Sequence, residues 1–351
     1  MAFSNIKGVS IRGVSACVPK NTVENRHCPL FKENEALRFI MTTGIERRHI
    51  VEKGICSSDL CFSAAEKLLA EMNWDKQTID LLIFVSQTQD YRLPATACTL
   101  QHRLGLPMSC MAFDVSLGCS GYVYGLGIAS SMISAGHLKR ALLLVGNTQS
   151  LLASPEDKSV LPLFADAGSA TSLEFDPTAR EMYFHHATDG SGAHFMMLPD
   201  GGCRNPVAPS SFEFKEFGPG IKRSGIHEGL DGMEVFSFGI SRAPESVKML
   251  MEQYQLDLNV YDYYLFHQAN KFMNERIRKK LKLPPEKVPY NIQEYGNTSC
   301  TTLPLLMVTE LREQLTAQNL KLLLCAFGVG LSWGSCSISV DSIVCPKLIE
   351  V

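Results

Sequence analysis

The chain has 351 residues, of which 45% are hydrophobic and 20% charged, and a formal net charge of -3. Such a length supports two domains or two fused halves around a large core, and the charge balance gives no global attraction for nucleic acid or an anionic membrane. The opening residues Met1 to Lys7 lack a basic-then-apolar leader pattern, and no stretch approaches the roughly 18 consecutive apolar residues of a membrane span. The 12 cysteines form no C-x-x-C pair and no zinc-type spacing, so the expectation is a soluble cytoplasmic protein with free thiols in a reducing compartment.

Ile6 to Val18 reads as a strand kinked at Gly13, and Pro19 to Asn34 as a loop. The segment Phe39 to His49 reads as a turn flanked by charge. Ser57, Ser58 and Asp59 are candidate caps for a helix whose apolar positions Leu60, Ala64, Leu68 and Met72 recur at helical spacing. Leu81 to Val85 is a short continuous apolar run of the kind found in strands buried on both faces. A helix is predicted from about Ala95 to Arg103, then strands at Met111 to Val115 and Ala141 to Val145. Alternation of buried strands with helices predicts βαβ units in a parallel sheet.

The second half shows the same plan. Strands are predicted at Ala170 to Phe175, Tyr263 to Phe266, Leu322 to Phe327 and Cys336 to Val340, and helices at Gly232 to Gln253, Ala269 to Leu281 and Thr302 to Leu315. Ser191 to Ser224, rich in Gly, Pro and polar residues, should be a surface excursion. His185, His186 and His194 have no carboxylate or Cys at ligand spacing and are not read as a metal site. The run Gly328 to Gly334 has the wrong spacing for a dinucleotide fingerprint, and a strand follows it where a helix is needed. It reads instead as a tight turn with N–H groups facing a cavity.

Three residues stand out chemically. Cys119 follows the Met111 to Val115 strand and a Gly-bearing turn, and precedes a small-residue helix. Unpaired N–H groups and the dipole of a helix start favour negative charge there, so the thiol is expected to reach a thiolate at neutral pH. His267 ends an apolar strand, where crevices of open α/β sheets form. Asn297 lies in Gly296-Asn297-Thr298-Ser299, which alone reads as a turn. Together they are one nucleophile and two neutral hydrogen-bond donors. Papain-like proteases use the same chain order, and the Cys119 to His267 spacing falls within the roughly 130–150 residues they show. Against that reading, Cys119 follows a long βα pattern instead of lying near the amino terminus, and the signature C-G-[SA]-C-[WY] is absent.

The four motifs Gly118-Cys119-Ser120-Gly121, His267-Gln268-Ala269-Asn270, Gly296-Asn297-Thr298-Ser299 and Ala326 to Gly334, in this order, resemble 3-oxoacyl-acyl-carrier-protein synthase III of the thiolase superfamily. The resemblance runs from Gly44-Ile45-Glu46-Arg47-Arg48-His49 to the final strand. It implies an α/β, thiolase-like, duplicated five-layered fold, with one half over 1–176 carrying the Cys and the other over 177–351 carrying the His and Asn. It further implies a homodimer, no metal or redox cofactor, and condensation of an acyl thioester with malonyl-acyl carrier protein. By matching position Cys119 would be acylated, His267 and Asn297 would bind the malonyl thioester oxygen, and the backbone N–H groups of Cys119 and Val329 would hold the acyl oxyanion. Leu93 matches the residue that reaches the partner's acyl pocket.

The chain departs from the family where coenzyme A is gripped. Arg38 and Thr42 stand at places where the family has a Trp and an Arg, and Phe272 replaces an Arg, so the donor is expected on coenzyme A or on a carrier protein. Lys271, Arg276, Arg278, Lys279, Lys280 and Lys282 make the helix after His267 cationic, and Lys271, Arg276 and Lys280 are candidate docking residues for an acidic carrier protein. Two alternatives stay open: an acyltransferase moving the Cys119-bound group to an alcohol or amine, and a non-catalytic subunit of a larger ketosynthase.

Overall fold

The computed structural model describes residues 2–32 and 34–351. In the first half the strands are β1 (Ala2–Ile6), β2 (Val9–Val18), β3 (Thr22–Glu24), β4 (Arg47–His49), β5 (Leu81–Val85), β6 (Met111–Val115), β7 (Arg140–Thr148) and β8 (Asp166–Phe175). Its helices are α1 (Glu35–Thr43), α2 (Ser57–Met72), α3 (Thr96–Arg103) and α4 (Gly121–Ser134). In the second half β9 (Met182–Thr188) is followed by the short strands β10 (Met196–Met197), β11 (Lys215–Gly218), β12 (Ile221–Arg223) and β13 (Gly229–Leu230). The long helix α5 (Gly232–Tyr254), β14 (Tyr263–Phe266), α6 (Lys271–Lys280), α7 (Ile292–Tyr295), α8 (Thr302–Glu310), α9 (Arg312–Ala317), β15 (Leu320–Gly328), β16 (Ser332–Val340) and β17 (Ile349–Glu350) complete the chain.

Two sheets carry the architecture. One has the order β17-β2-β8-β7-β5-β6 and the other β1-β9-β16-β15-β14. Removing the terminal strands leaves β6-β5-β7-β8-β2 against β14-β15-β16-β9, the same order with one outer strand fewer, which is the duplication. The ends cross over: β1 pairs with β9 of the second sheet and β17 with β2 of the first. The predicted parallel sheet is instead mixed. Parallel pairs link β5 with β6 and β7, and β14 with β15, while β8 and β16 run antiparallel to their neighbours. The reason is local: only a three-residue turn joins β15 to β16, too short for the crossover that a parallel pair needs.

Helices α2 and α3 cover the outer face of the first sheet and α5 that of the second, with α6 packed on α5, while α4 and α8 lie between the sheets. Strand residues divide accordingly with period two. Leu81, Ile83 and Val85 join the central core, whereas Leu82 and Phe84 face α2 and α3. In β15, Leu322, Leu324 and Ala326 face the centre, and Leu323, Cys325 and Phe327 face the α5 side. Each fully buried Leu or Phe contributes roughly 1.5–3 kcal/mol relative to exposure. The central helix α4 needs small residues because both sheets press on it: a Cβ at Gly125 would sit 2.8 Å from Leu143 of the first sheet, and a Cβ at Gly127 would sit 3.0 Å from His186 of the second.

Several predicted boundaries shift for physical reasons. Ile6 to Val18 is two strands split at Gly8, whose φ of +71° turns the chain from one sheet to the other, and Gly13 marks a bulge against β8. The charged turn before His49 begins as helix α1. Cys56, not a serine, is the N-cap of α2, and Asp59 accepts the Cys56 N–H at 2.8 Å. Thr302 to Leu315 breaks at Leu311, where the buried α8 gives way to the polar start of α9. All 12 cysteines are free.

Candidate active site

Cys119 stands two residues ahead of α4, directly after the turn that leaves β6. Across from it Gly328, the last residue of β15, comes so close that a Cβ there would lie 2.5 Å from the Cys119 Cβ. The β15–β16 turn is tied to this helix start by Ser120 Oγ and Ser332 Oγ at 2.7 Å, and Ser332 donates in turn to the Val329 carbonyl at 2.9 Å. Neither the Cys119 nor the Val329 N–H bonds a backbone carbonyl among the described residues.

His267 follows β14 and Asn297 precedes α8. The Asn297 backbone is strapped to the segment before β8, its N–H donating to the Leu163 carbonyl at 3.1 Å and its carbonyl accepting from Ala165 at 3.0 Å. Gly296 makes the entry possible with φ +61°, where a Cβ would also strike Arg48. The carboxamide orientation is fixed, because Asn297 Oδ1 accepts the Ser299 N–H at 2.9 Å, leaving Nδ2 as the free donor. His267 Nδ1 lies 2.7 Å from Thr302 Oγ1, and its Nε2 is buried without a partner. The one Thr302 hydroxyl proton has two acceptors in reach: given to His267 Nδ1 it leaves the ring proton on Nε2, and given to the Ser299 carbonyl at 3.1 Å it draws the ring proton to Nδ1.

Cys119, His267 and Asn297 line one cavity of about 120 Å³. Its walls are mostly apolar: Phe164, Met196, Leu230, Phe236 and Phe327 are among them, and no Lys or Arg of the described residues takes part. This overturns the expected thiolate. Burial pushes the Cys119 thiol up to about 12, outweighing the helix start and the Ser299 hydroxyl that favour the anion, and Glu228 opposes ionisation as well. Burial also holds His267 neutral, down to about 3, so no imidazolium offsets the cost.

The surface excursion is less external than its composition suggests. Met196 is buried within it, and Leu230 from the segment that follows it joins the same cavity wall. Neither residue carries a sequence signal beyond being apolar in a polar stretch. His185 and His186 are occupied elsewhere, by Ser246 Oγ at 2.8 Å and by the Val123 carbonyl at 3.4 Å. No group of three potential metal ligands occurs among the described residues.

Family models for 3-oxoacyl-[acyl-carrier-protein (ACP)] synthase III match residues 113–190, and its C-terminal part matches residues 251–340. A beta-ketoacyl-[acyl-carrier-protein] synthase III of Koribacter versatilis is 30% identical over 336 residues, spanning 95% of this chain and 98% of the relative. The chain belongs to the 3-oxoacyl-acyl-carrier-protein synthase III family. A second synthase III, from Streptomyces coelicolor, is 31% identical over 94% of this chain and 93% of its own length. A crystal structure titled 3-oxoacyl-(acyl-carrier protein) synthase, from Burkholderia xenovorans LB400, superimposes with a TM-score of 0.94 at 40% identity, covering 100% of this chain and 99% of that one. The thiolase-like α/β fold of the synthase is therefore common to it and its solved relatives.

In this synthase the three chemically singled-out residues converge, and the outlying ones do not. Leu93 is 87% exposed on a loop and lines no part of the Cys119 cavity. Lys271, Arg276 and Lys280 are exposed on α6, just beyond the cavity residues Ala269 and Asn270. Arg278 is drawn out of that cationic row by Glu275 at 2.9 Å and the Leu283 carbonyl at 2.7 Å. Phe272 stacks on the cavity residue Phe236 with ring centroids 5.7 Å apart.

Proposed function

We propose that the chain condenses an acyl thioester with malonyl-acyl carrier protein, releasing carbon dioxide and 3-oxoacyl-acyl carrier protein, through an acyl-Cys119 intermediate. The observation that carries this reading is the meeting of a helix-start thiol with the unpartnered Nε2 of His267 and the Nδ2 of Asn297 in one largely apolar cavity. In the first half-reaction the Cys119 sulfur attacks the donor carbonyl, the thioester C–S bond breaks, and the thiol proton ends on the departing thiol. The N–H groups of Cys119 and Val329, neither of which bonds a backbone carbonyl among the described residues, would hold the oxyanion.

In the second half-reaction the malonyl C–C bond to the carboxylate breaks and its electron pair moves onto the thioester oxygen. Asn297 Nδ2 and a proton on His267 Nε2 are placed to stabilise that enolate. Donors fixed beforehand, away from water, favour the transition state over the ground state. The enolate carbon then attacks acyl-Cys119, and the expelled thiolate takes a proton. Simple transfer to an alcohol or amine needs no such pair of donors, so the pair favours condensation.

No step calls for a metal or redox cofactor. The carrier is expected to dock on Lys271, Arg276 and Lys280, with its phosphopantetheine arm entering past Phe272. A homodimer is supported by β6, an edge strand that opens on exposed Met111 just after exposed Met108, and by exposed Tyr91 and Leu93, of which Leu93 is expected to reach the partner's acyl pocket. No helix among the described residues is long and apolar enough to cross a membrane.

Intact-mass measurement after exposure to matched acyl-coenzyme A and acyl-carrier-protein panels, followed by malonyl-carrier protein with carbon dioxide trapped, tests the proposal. An acyl adduct lost on Cys119→Ala, and discharged with release of carbon dioxide, is the expected result. An adduct without decarboxylation would replace condensation by simple transfer, and no adduct from any thioester would leave a non-catalytic subunit.

A further inference from the structure

Ser299 touches Cys119 and Asn297 directly and His267 through Thr302. Its N–H fixes Asn297 Oδ1, its carbonyl accepts at 3.1 Å from the Thr302 hydroxyl that also contacts His267, and its Oγ lies 3.7 Å from the Cys119 sulfur. It does so in the left-handed region, at φ +53°, a conformation that a serine retains only where its surroundings enforce it.

The direction of the Ser299 hydroxyl follows from a chain of donors with one fixed end. Asn147 Oδ1 accepts the backbone N–H of Gln87 at 2.9 Å, and a backbone N–H can only donate. The other end of that amide is therefore Nδ2, which donates to Ser299 Oγ at 2.9 Å and to Gln149 Oε1 at 2.9 Å. Gln149 is oriented in turn, its Nε2 donating to Glu228 Oε2 at 2.6 Å. Asn147, Gln149, Glu228 and Ser299 are all buried, so no water competes for these bonds. Ser299 Oγ accepts from Asn147, and its other side-chain contact among the described residues is the Cys119 sulfur. Either atom can donate while the sulfur carries its proton, but a charged sulfur can only accept, so the Ser299 proton then turns to it.

We propose that Ser299 is a further catalytic residue, whose hydroxyl, oriented by Asn147, donates to the Cys119 sulfur when that sulfur is charged and so stabilises the anion at both ends of the cycle. The sulfur gains negative charge when it attacks the donor thioester and again when the enolate expels it. Neither His267 nor any cation bonds it in the resting site, which leaves the Ser299 O–H as the donor within reach. Asn147, Gln149 and Glu228 act through Ser299 and are positioning residues. The inference rests on Cys119 being the nucleophile, and it extends that reading by naming what steadies the sulfur.

The test uses Ser299→Ala and Ser299→Gly in the full-length protein. Both remove the hydroxyl and keep the backbone N–H to Asn297, and glycine suits the positive φ, so at least one folded variant is expected. Iodoacetamide alkylation of Cys119 across a pH series reads the sulfur without any thioester. Both variants should shift that profile to higher pH by about one unit and slow acylation on the order of tenfold, as loss of a bond to a charged acceptor predicts. Pre-acylated variants should also release product more slowly. A wild-type alkylation profile in the folded glycine variant would overturn the role of the hydroxyl. Failure of every thioester to acylate the wild type, with the alkylation shift intact, would instead overturn the proposed reaction and leave the Ser299 contact standing.

Discussion

The two helices between the sheets, α4 and α8, occupy equivalent places in the duplicated fold, and their starts meet at the Cys119 cavity. They are built differently. The α4 entry, Gly118-Cys119-Ser120-Gly121, is small and tight, with a Cβ at Gly121 falling 2.7 Å from Val85 and 3.3 Å from the Cys300 Cβ. The α8 entry, Gly296 to Thr302, is a run of polar side chains that bond inward to Cys119, His267, Asn147 and the β7 and β8 carbonyls. One end thus presents a sulfur, and the other supplies the contacts that orient donors around it. Duplication provided two helix starts; close packing left room for a reacting group at only one.

Removing the sulfur breaks this comparison most completely. Cys119→Ala should abolish the acyl adduct by intact mass and lower condensation at least 10³-fold. Changing the donor side should divide the cycle instead of stopping it. His267→Ala or Asn297→Ala is expected to keep acylation of Cys119 while cutting carbon dioxide release about 10²- to 10³-fold, read by single-turnover decarboxylation of malonyl-carrier protein. If either variant lost acylation and decarboxylation equally, the division of labour between the two helix starts would be wrong.

Proton equilibria sharpen the contrast. With the Cys119 thiol pushed up to about 12 by burial, its alkylation rate should keep rising from neutral to strongly alkaline pH. With His267 held down to about 3, no inflection is expected in the usual imidazole range. Burial raises the Glu228 carboxyl from 4.5 to about 7. Between those values the native chain binds a proton that the unfolded chain releases, so stability falls as pH rises through that window and stays lower above it. Glu228→Gln removes the buried charge and keeps an acceptor for Gln149. It should raise thermal stability at pH 8 by about 2–3 kcal/mol, with the gain shrinking toward pH 5, as measured by melting scans.

The smallest effect is expected outside the cavity. Arg276→Glu with Lys280→Glu should raise the carrier-protein KM several-fold, most at low salt, with a small malonyl thioester as the comparison substrate. Equal effects on both substrates would remove α6 from the docking surface.

Strand runs such as Leu81 to Val85 and Leu322 to Phe327 are legible because two-sided burial leaves an unbroken apolar signature, and Cys119 and His267 stand at a readable helix start and strand end, whereas Asn297 reads alone as a turn and stands out only beside the other two. Local patterning also placed the surface excursion and the order of elements. The tertiary structure alone decided the mixed sheets, the exchange of β1 and β17, and the neutral state of the thiol. It alone joined Asn147, Gln149, Glu228 and Ser299 into a buried chain, and brought Met196 into the cavity wall. The physical reason is range: periodicity and caps act between residues a few positions apart, whereas burial, charge balance and hydrogen-bond direction at Cys119 are set by segments far apart in the chain that meet only once both halves have packed.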